Sequence, residues 1–411
     1  MLVAFSSAAF AVDPPEPKFR AVTIDDKIQI GYGVAVADVD GDKLPDILLA
    51  DKRQIVWYRN PGEVKQVASD VVVRMQWEKH IIAENLTPKD NVCLAAQDID
   101  GDGKCELAIG AEWNPGDTVN SGAVFYLIAP EDRTQRWTPV KFPSVEPTTH
   151  RMRWLKLEGG KWGLVVLPLH GRGNKNGEGA PVKVLLYHPP TPLNDPAGEW
   201  KSEVINESMH MTHNLDVGGW PGFAGSSQLL LLCGREGVHE VWKRGPNWET
   251  GHHSVGRGAG GAGGVGEIRS GNTLSSRSFR ATVEPMHGNM LVVSTFRQEP
   301  NAVDRNVLTD KLTEGHALAC GDLLGVKSDQ IVVGWRGAPG KEGSTTGVAV
   351  WTALDDKGGK WRETMIDPDG MACEDLQLAD LNGDGKLDIV AAGRATRNVK
   401  IYFNETPASA R

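Results

Sequence analysis

Three stretches of this chain are near copies of one another. They are Asp38-Val-Asp-Gly-Asp-Lys-Leu-Pro-Asp46, Asp98-Ile-Asp-Gly-Asp-Gly-Lys-Cys-Glu106 and Asp380-Leu-Asn-Gly-Asp-Gly-Lys-Leu-Asp388. Each places side-chain oxygens at positions 1, 3, 5 and 9: Asp38, Asp40, Asp42 and Asp46, then Asp98, Asp100, Asp102 and Glu106, then Asp380, Asn382, Asp384 and Asp388. Position 4 is Gly every time, which permits the sharp turn that brings such oxygens together. Oxygens at this spacing suit a hard cation, and Ca²⁺ is expected, although the bidentate Glu at position 12 of an EF-hand is missing. The alternative is an acidic turn that binds no ion. Apolar runs flank each copy, such as Gly33-Val-Ala-Val-Ala before the first and Ile47-Leu-Leu-Ala after it. The unit therefore reads strand, acidic turn, strand.

Weaker versions of the turn recur along the chain. Anchors fall at Asp38, Asp98, Lys156, Asp216, about Arg269, Asp322 and Asp380. Self-similarity at this period signals a repeat architecture, and about 40–50 residues per four-stranded blade is typical of propellers. Each repeat continues with a strongly apolar second strand, a third strand carrying aromatics such as Val56-Trp-Tyr, and a fourth that often begins with Trp. The last repeat ends after Tyr402-Phe403 without a fourth strand, and Phe19-Arg-Ala-Val-Thr-Ile24 has the pattern to supply it. A borrowed strand would close the ring and remove its free edges. The expected fold is all-β: one seven-bladed β-propeller over residues 17–406, with no second domain. Gly256–Gly266 lacks the Lys-Ser/Thr of a phosphate loop and reads as a crossing between blades.

The net charge of −9 and the absence of a Lys/Arg block argue against a nucleic-acid partner. No apolar stretch is long enough to span a membrane. Residues 2–11 are apolar and small and end in Ala9-Phe10-Ala11, a signal-cleavage pattern without its basic start. Residues 1–11 are thus expected to be the remnant of a signal peptide, and the protein to be periplasmic or secreted. Five Cys without a CxxC imply no disulfide framework, and buried thiols are expected.

The acidic hairpins resemble the FG-GAP/VCBS repeats of integrin-type and secreted bacterial propellers. A second resemblance rests on Thr149-His-Arg-Met, His213-Asn-Leu-Asp, Leu232-Cys-Gly-Arg-Glu-Gly-Val-His-Glu-Val-Trp242, Glu284-Pro-Met-His-Gly-Asn289 and His316-Ala-Leu-Ala-Cys-Gly-Asp322. In order and spacing these stretches look like the propeller of the aldos-2-ulose dehydratase family. That resemblance implies lyase chemistry on keto-sugars such as 1,5-anhydrofructose.

A closed propeller gathers its blades at the mouth of a central channel. Two kinds of position reach that mouth: the start of each inner strand, and the turn from second to third strand. The first kind carries His150, His213 and His316; the second carries His170, Arg172, Arg235, His287, Trp335 and Arg336, with Trp113 beside Glu112. Five of the eleven His thus fall at equivalent repeat positions. A lone turn His is usually a surface or capping residue, but convergent polar groups are what a pocket needs. His80, His188, His210, His239, His252 and His253 read as surface residues.

Imidazole binds Zn²⁺, Mn²⁺ or Fe²⁺, or acts as a base near neutral pH. Elimination from a keto-sugar needs a base for the α C–H, stabilisation of the enolate, and an acid for the leaving oxygen. His150, His213 and His316 are assigned as ligands, or ligands plus base, and His287 to acid/base work. His170, Arg235 and Arg336 complete the candidate catalytic set. Arg172, Trp113 and Trp335 would contact sugar. The alternative role of each Arg and Trp is salt bridging or packing. The expected function is an exported, metal-dependent lyase acting on a keto-sugar or keto-glycoside by α-proton abstraction and β-elimination. A non-catalytic propeller that binds a glycan or protein is the alternative, and a rhamnogalacturonan-type lyase a further one.

Overall fold

Seven four-stranded antiparallel sheets make up the chain in a computed structural model. Residues 13–62, 76–143, 145–218, 229–252, 263–275, 278–296 and 303–407 are described. The leader expected over 1–11, His253 and most of the Gly256–Gly266 run lie outside them.

Six blades are built from consecutive strands. Their inner strands are Gly33–Ala37, Cys93–Gln97, Thr149–Lys156, Thr212–Val217, Glu267–Asn272 and Gly315–Gly321. Blade 7 combines Cys373–Ala379, Asp388–Gly393 and Val399–Asn404 with Phe19–Asp25 from the other end of the chain. Phe19 pairs with Asn404 and Val22 with Ile401. Arg20 and Glu405 add an ion pair at 2.6 Å. Each inner strand packs on the next, and that of blade 7 returns to that of blade 1.

The second strands of most blades read as continuous apolar runs because both of their faces are covered. Asp46–Ala50 and Leu229–Gly234 are buried at every residue. Their side chains interleave with those of the neighbouring blade, as Leu48, Ile109 and Leu107 do between blades 1 and 2. This burial between blades is the main driving force for closing the ring.

Two details differ from the sequence-based expectation. The inner strand of blade 5 runs to Asn272, so Arg269 lies within the strand and not at its turn. His239 is buried, its two ring nitrogens meeting Ser208 and His252 and not water. All five Cys are free thiols.

Candidate functional site

The inner strands of blades 3, 4, 6 and 7 share an irregularity at their first turn of sheet. Register slips between Thr149 and Arg151, Thr212 and Asn214, Gly315 and Ala317, and Cys373 and Asp375. The bulged residues are His150, His213, His316 and Glu374. A bulge inserts one unpaired residue and re-aims its side chain. Here the four bulges turn those side chains into the mouth of the channel, where all four line one cavity of about 380 Å³.

Hydrogen bonds between blades fix the imidazoles. His150 Nδ1 lies 2.7 Å from the His213 carbonyl, His213 Nδ1 2.6 Å from the Gly266 carbonyl, and His316 Nδ1 2.7 Å from the Glu374 carbonyl. A carbonyl can only accept, so each Nδ1 carries the proton and each Nε2 presents a lone pair. Blade 5 has Gly266 at this ring position and supplies its imidazole from the following turn instead. A Cβ on Gly266 would come within 3.1 Å of the His287 nitrogen, so the missing side chain gives that turn its room. His287 itself adopts a left-handed backbone with φ of 51°, a conformation uncommon outside Gly. Gly288 after it has space for no Cβ, which would meet the Glu284 carbonyl.

His213 and His287 meet with their Nε2 atoms 2.6 Å apart. The His316 ring lies 5.1 Å from that of His213 and 4.9 Å from that of His287. These three offer nitrogens close enough to hold one metal ion. The donor set fits a borderline transition metal: neutral imidazoles, two of them oriented by backbone carbonyls behind the ring. Burial drives the pKa of His213 down to about 3 and that of His287 down to about 2. Desolvation is the main cause for both; Arg151 adds to it at His213, and His213 and Arg336 add to it at His287. His150 and His316 are pushed well below their usual value for the same primary reason. All four are neutral at pH 7 and able to ligate or accept a proton.

His150 stands at the edge of this trio. Its ring stacks on Trp113 at 5.1 Å and neighbours His213 at 4.8 Å. Arg151 approaches its Nε2 at 3.3 Å. Across the cavity, Glu374 accepts from Arg336 at 3.0 Å and from Arg394 at 2.9 Å. Arg336 also reaches Glu314 at 3.1 Å and the Nδ1 of His287 at 3.3 Å. Tyr32 completes the wall, donating its hydroxyl to Asp90 at 3.0 Å.

Of the sequence candidates, His150, His213, His287, His316, Arg336 and Trp113 line the cavity. Four others lie elsewhere. Trp335 is core, packed among blade 5 and 6 residues with its indole N–H on Thr345. Arg172 ties the Val119 and Val145 carbonyls, and Arg235 the Asn176 carbonyl, so both brace loops. His170 is buried in a bridge to Met211 and does not line the cavity. Arg394, at a turn position of the same kind, also lines the cavity, whereas Glu374, Arg151 and Tyr32 were not among the candidates. Glu374 had a signal: it lies six residues before Asp380, as His150 lies six before Lys156 and His316 six before Asp322.

The acidic turns sit at the other end of the inner strands. Asp38, Asp40 and Asp42 lie close enough together to hold an ion, as do Asp98, Asp100 and Glu106. The first-position oxygens accept backbone N–H groups: Asp38 from Gly41 and Lys43, Asp98 from Gly101 and Gly103, Asp380 from Gly383 and Gly385. The ninth-position acids are buried against the turn. Asp46 accepts from Val39 and Asn60, and Asp388 from Leu381 and Asn404. Desolvation raises Asp46 and Glu106 to about 7 and Asp388 to about 6.

Residues 121–297 match the family profile of the β-propeller domain of aldos-2-ulose dehydratase. The chain is similar to that propeller. The matched stretch holds His150, His213 and His287 but ends before His316 and Glu374. Aldos-2-ulose dehydratase of Phanerodontia chrysosporium is 25% identical, over 45% of this chain and 23% of that protein. The aligned region thus spans about a quarter of that curated relative. Among solved structures, the extracellular domain of a one-component system from B. thetaiotaomicron covers 93% of this chain and 39% of its own, with a TM-score of 0.49 and 9% identity. A protein of unknown function from Dyadobacter fermentans covers 96% of this chain and 100% of its own, with a TM-score of 0.44 and 10% identity. Among the described residues no helix is long and apolar enough to cross a membrane.

Proposed function

We propose that this chain is an exported lyase that eliminates a β-substituent from a keto-sugar or keto-glycoside. The observation that carries the reading is the convergence of four neutral imidazoles on one cavity. The similarity to a dehydratase propeller supports it.

His213, His287 and His316 are the residues that would hold a divalent metal: zinc, manganese or iron. Bound there, such a metal supplies Lewis-acid polarisation of the substrate carbonyl. His150 is the base. Its Nδ1–H is committed to the His213 carbonyl, which leaves the lone pair on Nε2, where a substrate C–H would displace the 3.3 Å contact with Arg151. That nitrogen takes the proton α to the carbonyl, and the C–H electron pair passes into an enolate. Collapse of the enolate breaks the C–O bond at the β carbon. The Tyr32 hydroxyl, held by Asp90 and kept protonated by burial, donates the proton to the departing oxygen. Trp113 offers an apolar face for the sugar ring, and the Arg336–Glu374 pair holds hydroxyls. This division moves His287 to the ligand set and His150 to proton transfer. Calcium at the acidic turns would brace the opposite face, and the apolar residues 2–11 are the basis for placing the protein outside the cytoplasm.

The test is a screen of metal-loaded protein with 1,5-anhydrofructose and keto-glycosides, following enone formation by absorbance. The expected result is turnover that falls about 10²- to 10⁴-fold in His150→Ala, the usual worth of a general base. Sugar binding without turnover on any keto-sugar would replace the lyase reading with that of a binding module.

A further inference from the structure

The cavity holds one cation whose charge no acid balances directly. Arg151 follows the bulge residue His150 and is also aimed inward, 6% exposed and lining the cavity. Its guanidinium donates to its neighbour's carbonyl at 3.0 Å and lies 3.3 Å from the His150 Nε2. Among the described residues no carboxylate comes within ion-pair distance of it. The other two cavity arginines differ: Arg336 and Arg394 both bind Glu374, and Arg336 binds Glu314 as well.

Two buried acids, Asp375 and Glu267, act on Arg151 from beyond ion-pair distance. Asp375 accepts from the Val34 and Leu376 nitrogens. Glu267 accepts from the Asn214 amide and lies 3.8 Å from Arg269. A buried guanidinium with no carboxylate in contact is only partly compensated, and a ligand that brings one completes the pair. Guanidinium also matches a carboxylate in shape, with parallel N–H donors for its two oxygens.

We propose that Arg151 is an anion-recognition residue and that the cavity takes a sugar acid, its carboxylate paired with Arg151. The proposal rests on this cavity being the ligand site, and it narrows the substrate class from keto-sugars in general to those bearing a carboxylate. It places the carboxylate at the floor, next to His150 and opposite the Glu374 wall. A neutral sugar would leave Arg151 as it is, without a carboxylate in contact.

Ligand binding, read without turnover, tests this separately from the lyase reading. Wild-type protein is titrated calorimetrically with D-glucuronate, D-gluconate and D-glucose, and the two acids are expected to bind more tightly than glucose. In Arg151→Gln the affinity for glucuronate should fall about 10- to 100-fold, the usual worth of a hydrogen bond to a charged group. Arg151→Lys should retain part of it. Wild-type protein stripped of metal with chelator should keep the preference for acid over glucose. Equal affinity of the wild type for glucuronate and glucose would overturn the proposal, even if Arg151→Gln failed to fold. So would full glucuronate affinity in Arg151→Gln, or loss of the preference after chelation, which would assign the carboxylate to a metal.

Discussion

The Nε2 atoms of His213 and His287 lie 2.6 Å apart, although 74 residues separate them in the chain. One comes from a bulge in an inner strand and the other from a left-handed turn in the next blade. Two lone-pair nitrogens would repel at that distance. Arg336 resolves the conflict: it donates to the Nδ1 of His287, so that Nε2 carries the proton and donates to His213.

A metal held through His287 Nε2 would need that proton to move to Nδ1 and Arg336 to turn from His287 to its Glu314 and Glu374 partners. His213→Ala should lose bound transition metal, whereas His150→Ala should keep it. Elemental analysis of the two purified variants checks the division. Equal metal content in both would mean that the trio is not the ligand set.

The cavity imidazoles should cost stability as the solution is acidified, whereas the raised carboxyls Asp46, Glu106 and Asp388 act in the opposite sense. An unfolded His titrates near 6.5, whereas His213 and His287 are held to about 3 and about 2 by burial. Between those values the unfolded chain binds protons that these folded imidazoles do not, so their contribution to stability is constant above about pH 6.5 and declines below it. Melting temperature measured from pH 7.5 to 4 in the presence of chelator reads the sum of both, so the test is the difference between proteins: acidification should cost the wild type more than His213→Gln, and an identical pH dependence in the variant would show that His213 contributes nothing to it.

Glu374→Gln should be destabilising. Glu374 is buried and holds both Arg336 and Arg394. Removing its charge leaves two guanidiniums sharing a neutral amide, a loss of about 3 kcal/mol by comparison with other broken buried pairs. Urea unfolding measures it, and a change under about 0.5 kcal/mol, the range of ordinary surface substitutions, would show that Glu314 compensates.

Gly266→Ala should disturb His287 more than the fold. The added methyl would press on the His287 nitrogen at 3.1 Å and on Met286 at 3.3 Å. Overpacking of this kind costs about 1–3 kcal/mol. The expected signature is weakened metal binding with near-native circular dichroism. Wild-type metal affinity would show that the turn yields freely.

The blade count and ring closure were legible because repetition and apolar runs are local signals. Phe19–Ile24 could be matched to a missing fourth strand by pattern alone. The imidazoles were legible as repeat positions, since His150 and His316 sit at the same distance before their turns. Glu374 shares that spacing but was passed over because a search for His does not find Glu. Arg151 was hidden for a different reason. Alternation along a strand puts neighbours on opposite faces, and only the bulge at His150 brings both residues inward. Trp335 was misplaced because a turn position and a core position look alike when the residue can pack in either.

The pairing of Phe19–Asp25 with Val399–Asn404 has a consequence for how the site comes into being. His150 belongs to blade 3, His316 to blade 6 and Glu374 to the blade that both ends of the chain build together. A nascent chain on the ribosome holds most of these groups long before it can assemble them. The cavity is thus a late product of synthesis: it takes shape when the first strand meets the last, and a chain stalled in blade 6 would have imidazoles but no pocket.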